Sequence, residues 1–277
     1  MNYHPRAIVV GVLSLVGALA VTSVLAQDAD GTGSAMSEKF FLSLGYLALE
    51  STKTQLSLSG SDGVVGTSIN YQRDLGGDNA TGAGRLTAHY RFNPRHRIDF
   101  STYTVKRSGE RTVSLEIDFG DEIFEAGETV TSDLDTTFYK LTYGYSFYHS
   151  KRAEIGLIGG LHIMDYSIAV ESESDGNSEA ADVTAPLPVW GLRVNYGISE
   201  KWFFKFAYEN FYINLNDKLT GSLLDTSAGI EWRPLKHFGA GFAFVRTALD
   251  ADVETSDFSG QLADLYRGGE FYLATFF

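Results

Sequence analysis

From about residue 38 onward, apolar and polar residues alternate with a period of two, the pattern of β-strands whose two faces meet different surroundings. Along one run Tyr139, Leu141, Tyr143, Tyr145 and Phe147 share a face, and Lys140, Thr142, Gly144 and Ser146 share the other. Trp202, Phe204, Phe206 and Tyr208 likewise oppose Lys205, Ala207 and Glu209, and Phe238, Ala240, Phe242 and Phe244 oppose Gly239, Gly241 and Ala243. Four short polar breaks, at 93–96, 149–152, 199–201 and 233–237, have the composition of tight hairpin turns. Longer acidic segments separate the other runs. This spacing predicts ten strands over 38–58, 84–93, 95–107, 135–148, 152–172, 183–198, 201–215, 218–232, 237–249 and 261–277. The stretch Thr67 to Leu75 alternates weakly, as a further strand or part of a hairpin, which leaves eight or twelve strands open.

Periodicity alone does not say which face points outward, because a soluble lipocalin-like barrel alternates in the same way. The aromatic residues decide it. Phe92, Phe147, Tyr148, Tyr196, Trp202, Trp232 and Phe238 flank the short turns, as amphipathic rings do at a membrane interface. The last run, Leu262 to Phe277, places Phe271, Leu273 and Phe277 on one face. Such a strand invites association at its edge unless a closed barrel pairs it with the first strand. The fold class expected is therefore all-β, an antiparallel up-and-down transmembrane barrel. Barrels of this kind place short turns in the periplasm and long loops outside.

Ahead of the alternating region, Arg6 precedes the uncharged segment Ala7 to Ala26, and Val24-Leu25-Ala26 before Gln27 has the small residues of a signal-peptide cleavage site. A single uncleaved membrane helix is the competing reading. The organisation expected is a signal peptide over 1–26, a short segment over 27–37 and one barrel over 38–277, exported to the outer membrane. With no cysteine, neither lipid attachment to a thiol, disulfides, zinc-thiolate sites nor thiol nucleophiles enter.

The chain carries a net charge of −13, and the leader holds one of its few bases, Arg6. Nucleic acid is therefore excluded as an expected partner. Charge is also segregated. Glu116, Asp118, Asp121, Glu122, Glu125, Glu128, Asp133 and Asp135 form an acidic segment without Lys or Arg, followed by acidic groups at 171–182 and 250–257. Arg91, Arg95, Arg97, Lys151, Arg152, Arg233 and Lys236 collect at the short turns. Acidic loops of this kind are ordinarily solvated; a second reading has them hold divalent cations shared with lipopolysaccharide.

Projection of the strands puts Arg85, His89, Arg91, Arg97, Asp99, Lys140, Glu154, Arg193, Lys205, Glu209, Asp225, Glu231 and Glu270 in the lumen. Acids and bases balance, which suits paired side chains filling a narrow barrel better than an ion-selective pore. Glu209 is expected beside Lys205. The segment Glu171 to Asp182 matches the acid and glycine spacing of a calcium loop, but with Glu for the short ligands and no flanking helices, so no metal site is expected. His149 and Ser150 are adjacent and point to opposite faces, while His162 faces the lumen away from any serine; His96 and His237 belong to turns. No nucleophile, base and orienting group converge, so no catalytic residue, cofactor or enzyme activity is expected.

The alternating strands, aromatic belts and terminal Phe277 resemble the small outer-membrane β-barrel superfamily of OmpA-, OmpX- and OmpW-like proteins, over residues 38–277. Arg73-Asp74-Leu75-Gly76, Tyr90-Arg91-Phe92, Arg95-His96-Arg97 and Leu141 to Phe147 resemble a subset of its members whose activity is not known. The resemblance implies outer-membrane lipids and lipopolysaccharide as surroundings and recognition of the C-terminal strand by the barrel assembly machinery. It implies a non-enzymatic envelope or surface-interaction protein. A narrow solute channel is the alternative, and a lipid-modifying enzyme comes last. No peptidoglycan-binding domain is expected after the barrel.

Overall fold

The computed structural model describes residues 36–58, 67–174, 176–214, 219–254 and 259–277. The expected signal peptide and most of the segment 27–37 lie outside them. The strands are β1 (Phe40–Leu58), β2 (Ile69–Asn70), β3 (Ala80–Asn93), β4 (His96–Thr112), β5 (Ile117–Phe119), β6 (Glu122–Phe124), β7 (Thr129–His149), β8 (Ala153–Ser172), β9 (Ser178–Gly197), β10 (Trp202–Asn214), β11 (Leu219–Trp232), β12 (Phe238–Glu254) and β13 (Ser259–Phe276), with a single helical turn, α1 (Tyr71–Asp74). All except β2, β5 and β6 form one antiparallel wall in sequence order, closed by β13 against β1 from Phe41 opposite Phe276 to Leu58 opposite Gly260. The ten predicted strands are these ten, and all four short turns fall where expected. Phe277 completes the closure: its carbonyl accepts from the N–H groups of Lys39 (2.7 Å) and Phe40 (3.0 Å), and its own N–H donates to the Phe40 carbonyl (2.9 Å).

Several strands are longer than the sequence reading gave them. β7 has 21 residues, whereas crossing a bilayer takes roughly 9–11 tilted strand residues. Its outward face is aromatic and aliphatic from Tyr139 to Phe147, then polar at Thr137, Asp135, Asp133 and Thr131. Its inward face changes in the opposite sense, from Lys140, Thr142 and Ser146 to the buried Phe138, Leu134 and Val130. β8 repeats the switch, with His162 and Glu154 inside below, and Met164, Tyr166, Ile168 and Val170 inside above. The same strands thus behave as a membrane barrel near the short turns and as a soluble barrel near the long loops. This reversal hid the strand extensions: β3 starts at Ala80, β4 reaches Thr112, β7 starts at Thr129, β9 at Ser178, and β12 reaches Glu254.

Thr67 to Leu75 does not add a full barrel strand: only Ile69–Asn70 is extended. β2 pairs briefly with β1 (Leu56 opposite Ile69) and turns into α1, so that Ile69, Tyr71 and Leu75 are all buried inside the barrel. The turn is capped locally: the Asn70 side chain accepts from the Arg73 N–H (2.8 Å), and the Asp74 carboxylate accepts from the Asn70 N–H (2.8 Å). The β5–β6 hairpin adds Ile117, Phe119 and Phe124 to the same core, turning at Gly120, whose φ of +65° favours glycine.

β9 and β10 pair only from Trp190 opposite Asn210 to Gly197 opposite Phe203. Above that level lie Pro186 and Pro188, which have no N–H to donate. The β8–β9 ladder passes both without a break (Ile163 opposite Pro186, Leu161 opposite Pro188), so the missing donors fall on the β10 side. The wall therefore parts there, beside Ile163, the last apolar outward residue of β8 before Asp165.

Below that gap the wall is closed by hydrogen bonds around its full circumference, and a wall so closed resists detergent until it is heated. Unheated and boiled samples are expected to migrate differently on gels, with a β-rich circular dichroism spectrum; equal migration would contradict closure.

Candidate functional site

The chemistry-bearing residues of the sequence converge on the inside of the lower barrel. All thirteen lumen candidates face inward, and each of the six bases has an acidic partner. Arg85 meets Glu270 (3.1 Å), and Arg97 and Arg193 both hold Asp99 (2.9 Å each). Lys140 bridges Asp225 (3.2 Å) and Glu209 (3.7 Å). Lys205 holds Glu231 (2.5 Å). At the short-turn end, the Arg91 guanidinium forks onto both oxygens of Glu154 (2.9 and 3.0 Å), which also accepts from Asn195 (3.0 Å) and Ser146. Bidentate geometry with further donors is the arrangement in which a buried ion pair offsets its desolvation.

Glu209 is not paired with Lys205, contrary to expectation. Residues four apart on one strand lie roughly 13 Å apart along it. Glu209 instead meets Lys140 of β7 and His162 of β8 (2.5 Å). Two further charges belong to the network that the sequence reading left outside it: Arg233, assigned to a turn, folds back onto Glu231 (2.6 Å) and Glu38 (3.3 Å). His89 lies 3.8 Å from Glu38 and 4.0 Å from Asp99, and stacks on Phe41 at 4.9 Å. Between these pairs lies a cavity of about 190 Å³.

Above it the lumen is apolar. Tyr103 and Phe138 stack at 4.4 Å, and with Leu47, Leu49, Met164, Phe211, Leu223 and Leu249 they join α1 and the β5–β6 hairpin in one core reaching across the barrel. One fully buried ion pair sits in it: Arg107 to Asp264 (3.2 Å), both side chains 0% exposed. Thr54 bonds to both of them, and Tyr71 and Tyr266 lie against the Arg107 guanidinium at 5.2 and 5.1 Å. The sequence held a signal for this core that the strand projection did not use: the phase of the alternation shifts by one between Phe138 and Tyr139.

His96 and His237 make structural contacts, while His149 precedes a tight hairpin. Ser150 closes the hairpin after His149 by donating to the Ala153 carbonyl (3.1 Å). His96 bonds to the exposed Tyr143, and His237 bonds to the Phe276 carbonyl (2.9 Å) and stacks on Phe277. The calcium template is pulled apart by the β8–β9 register: Glu171 stands opposite Ser178, while Asp182 stands opposite Ser167. Its two end positions are thus four residues apart, roughly 13 Å, too far for one ion with ligands at about 2.3–2.6 Å. Asp175 lies outside the described residues. Among the described residues no group of three or more His, Asp or Glu is arranged to hold a metal. At the long-loop end, burial and the neighbouring Asp121 and Glu122 raise the pKa of Glu179.

No protein-family model and no curated protein matches the sequence. Among solved structures, the outer membrane protease OmpT of Escherichia coli superposes with a TM-score of 0.56 at 9% identity, over 86% of this chain and 96% of that one. The toluene transporter TodX of P. putida (TM-score 0.33, 10% identity, 86% and 90% covered) and the attachment invasion locus protein Ail of Yersinia pestis (0.30, 13%, 84% and 99%) are more distant. At these identities the likeness to OmpT concerns the fold alone, and with the closed ten-stranded wall and its aromatic belt it makes this chain an outer-membrane β-barrel.

Proposed function

We propose that the protein is a non-enzymatic integral outer-membrane barrel that contributes to envelope integrity or surface interaction through its acidic long-loop end, which faces outward. The observation carrying this reading is an interior filled along its length, by paired charges below and by an apolar core above. An enzyme would need a reactive group exposed to substrate, and a diffusion channel would need a continuous polar path; the apolar core across the upper lumen offers neither. The 190 Å³ cavity favours the narrow-channel alternative only if that core opens.

Planar-bilayer recording separates the two. The refolded intact barrel is expected to give no unitary conductance in simple salt. Steady ion-selective conduction by the intact protein would overturn the reading.

Orientation and the cation partner have a separate test. Protease added to intact cells is expected to cut near 113–128, and millimolar magnesium is expected to slow the cut by damping carboxylate repulsion. Cleavage only in opened cells would invert the orientation. Equal cleavage with magnesium and with chelator would remove the cation partner.

A further inference from the structure

Barrel exteriors in lipid are apolar, so two arginines placed directly opposite each other at the edge of the belt need a reason. Arg246 on β12 and Arg267 on β13 are such a cross-strand pair, both pointing outward and exposed. Like charges in this position repel. Arg267 shares its charge with Glu50 of β1 (3.1 Å), whereas Arg246 has no ion pair among the described residues. The three groups together leave one uncompensated positive charge.

Immediately below them the outer surface is concave. The outward positions Ala48, Gly82 and Gly269 have almost no side chain, and the groove they leave runs between Tyr46 on one side and Phe242 and Phe244 on the other. The groove is shaped by the rings: Tyr46 extends over Gly82, and Phe242 extends over Gly269, where a β-carbon would come within 3.1 Å of the ring. Phe242 and Phe244 pack edge to face at 5.0 Å, holding the wall of the groove in place. Charge surplus and groove adjoin, with the charge at the polar end of the belt and the groove within it.

We propose that this patch is a binding site for one lipopolysaccharide molecule: a phosphate bridges Arg246 and Arg267, and an acyl chain lies in the groove over Ala48, between the rings of Tyr46 and Phe242. A phosphate placed between two guanidiniums turns their repulsion into two charge-assisted contacts. The commitment to lipopolysaccharide follows from height, since the pair sits at the long-loop end of the belt, and it rests on the outward orientation proposed above.

The test is native mass spectrometry of the full barrel refolded in detergent and titrated with purified deep-rough lipopolysaccharide. The wild type is expected to retain one molecule. Arg246→Gln, which leaves the Arg267–Glu50 pair intact, and Ala48→Phe, which fills the groove, are each expected to lower retention at least tenfold. Arg95→Gln, at the opposite end, is expected to leave it unchanged. Unheated gel mobility confirms that each variant is folded. Retention unaltered in both site variants overturns the proposal. Displacement by inorganic phosphate alone reduces the site to an anion site and overturns it as well, and equal retention of phosphatidylglycerol overturns the assignment to lipopolysaccharide. Conduction through the barrel would defeat the envelope reading without touching this one, so the two fail separately.

Discussion

Replacing Asp264 by alanine is expected to lower the unfolding free energy of the barrel by about 3–5 kcal/mol, the cost of leaving a buried charge without its partner. Arg107 has no access to water through which to recover: both side chains are 0% exposed, and the surroundings are Thr54, Tyr71 and Tyr266. Asp264→Asn keeps an acceptor for Thr54 but removes the charge, and should fall between alanine and wild type. Urea unfolding in lipid vesicles, followed by tryptophan fluorescence, reads the difference. A loss under about 1 kcal/mol would mean that water reaches the pair, as at exposed ion pairs, and the sealed upper core would have to be abandoned.

Glu209→Lys is expected to be comparably damaging, at about 3–5 kcal/mol where the site is desolvated. The new ammonium would face Lys140 and His162 in place of the carboxylate that now holds both. Glu209→Gln should cost less, because it withdraws charge without reversing it and can still bond to His162. In a water-filled lumen the reversal would be screened, stability would hardly move, and the change would show as a shift in reversal potential. Equal stability of Glu209→Lys and wild type in the vesicle assay would therefore favour the channel reading.

The architecture was legible because a membrane barrel imposes a simple rule on every strand. Aromatics such as Phe92, Tyr148, Trp202 and Trp232 mark the turn side, and short polar breaks mark the turns themselves. The approximate strand positions came from the period, and the inward position of all thirteen lumen candidates from the period together with the aromatic residues that mark the lipid face. The pairing of those candidates did not, since Glu209 and Lys140 are brought together by the curvature of the wall, which sequence spacing does not encode. The strand ends were misjudged where the rule changes. Val130, Leu134 and Phe138 point inward on the same face as Lys140 and Thr142, so a reading that seeks one apolar face per strand starts this one at 135 rather than at Thr129.

By itself, then, the sequence determined the class of fold, which face meets lipid, and the chemical balance of the lumen, because alternation is a local property set by a period of two and the aromatic rings mark the lipid side. The structure fixed the strand number at ten where eight or twelve had been open. Only the tertiary structure decided whether the lumen is open. That outcome depends on Tyr71, Phe119 and Phe124 folding in from segments between the strands, and on Arg107 finding Asp264 157 residues away. Such contacts are fixed by closure of the wall and the space left inside it, which no stretch of sequence specifies alone.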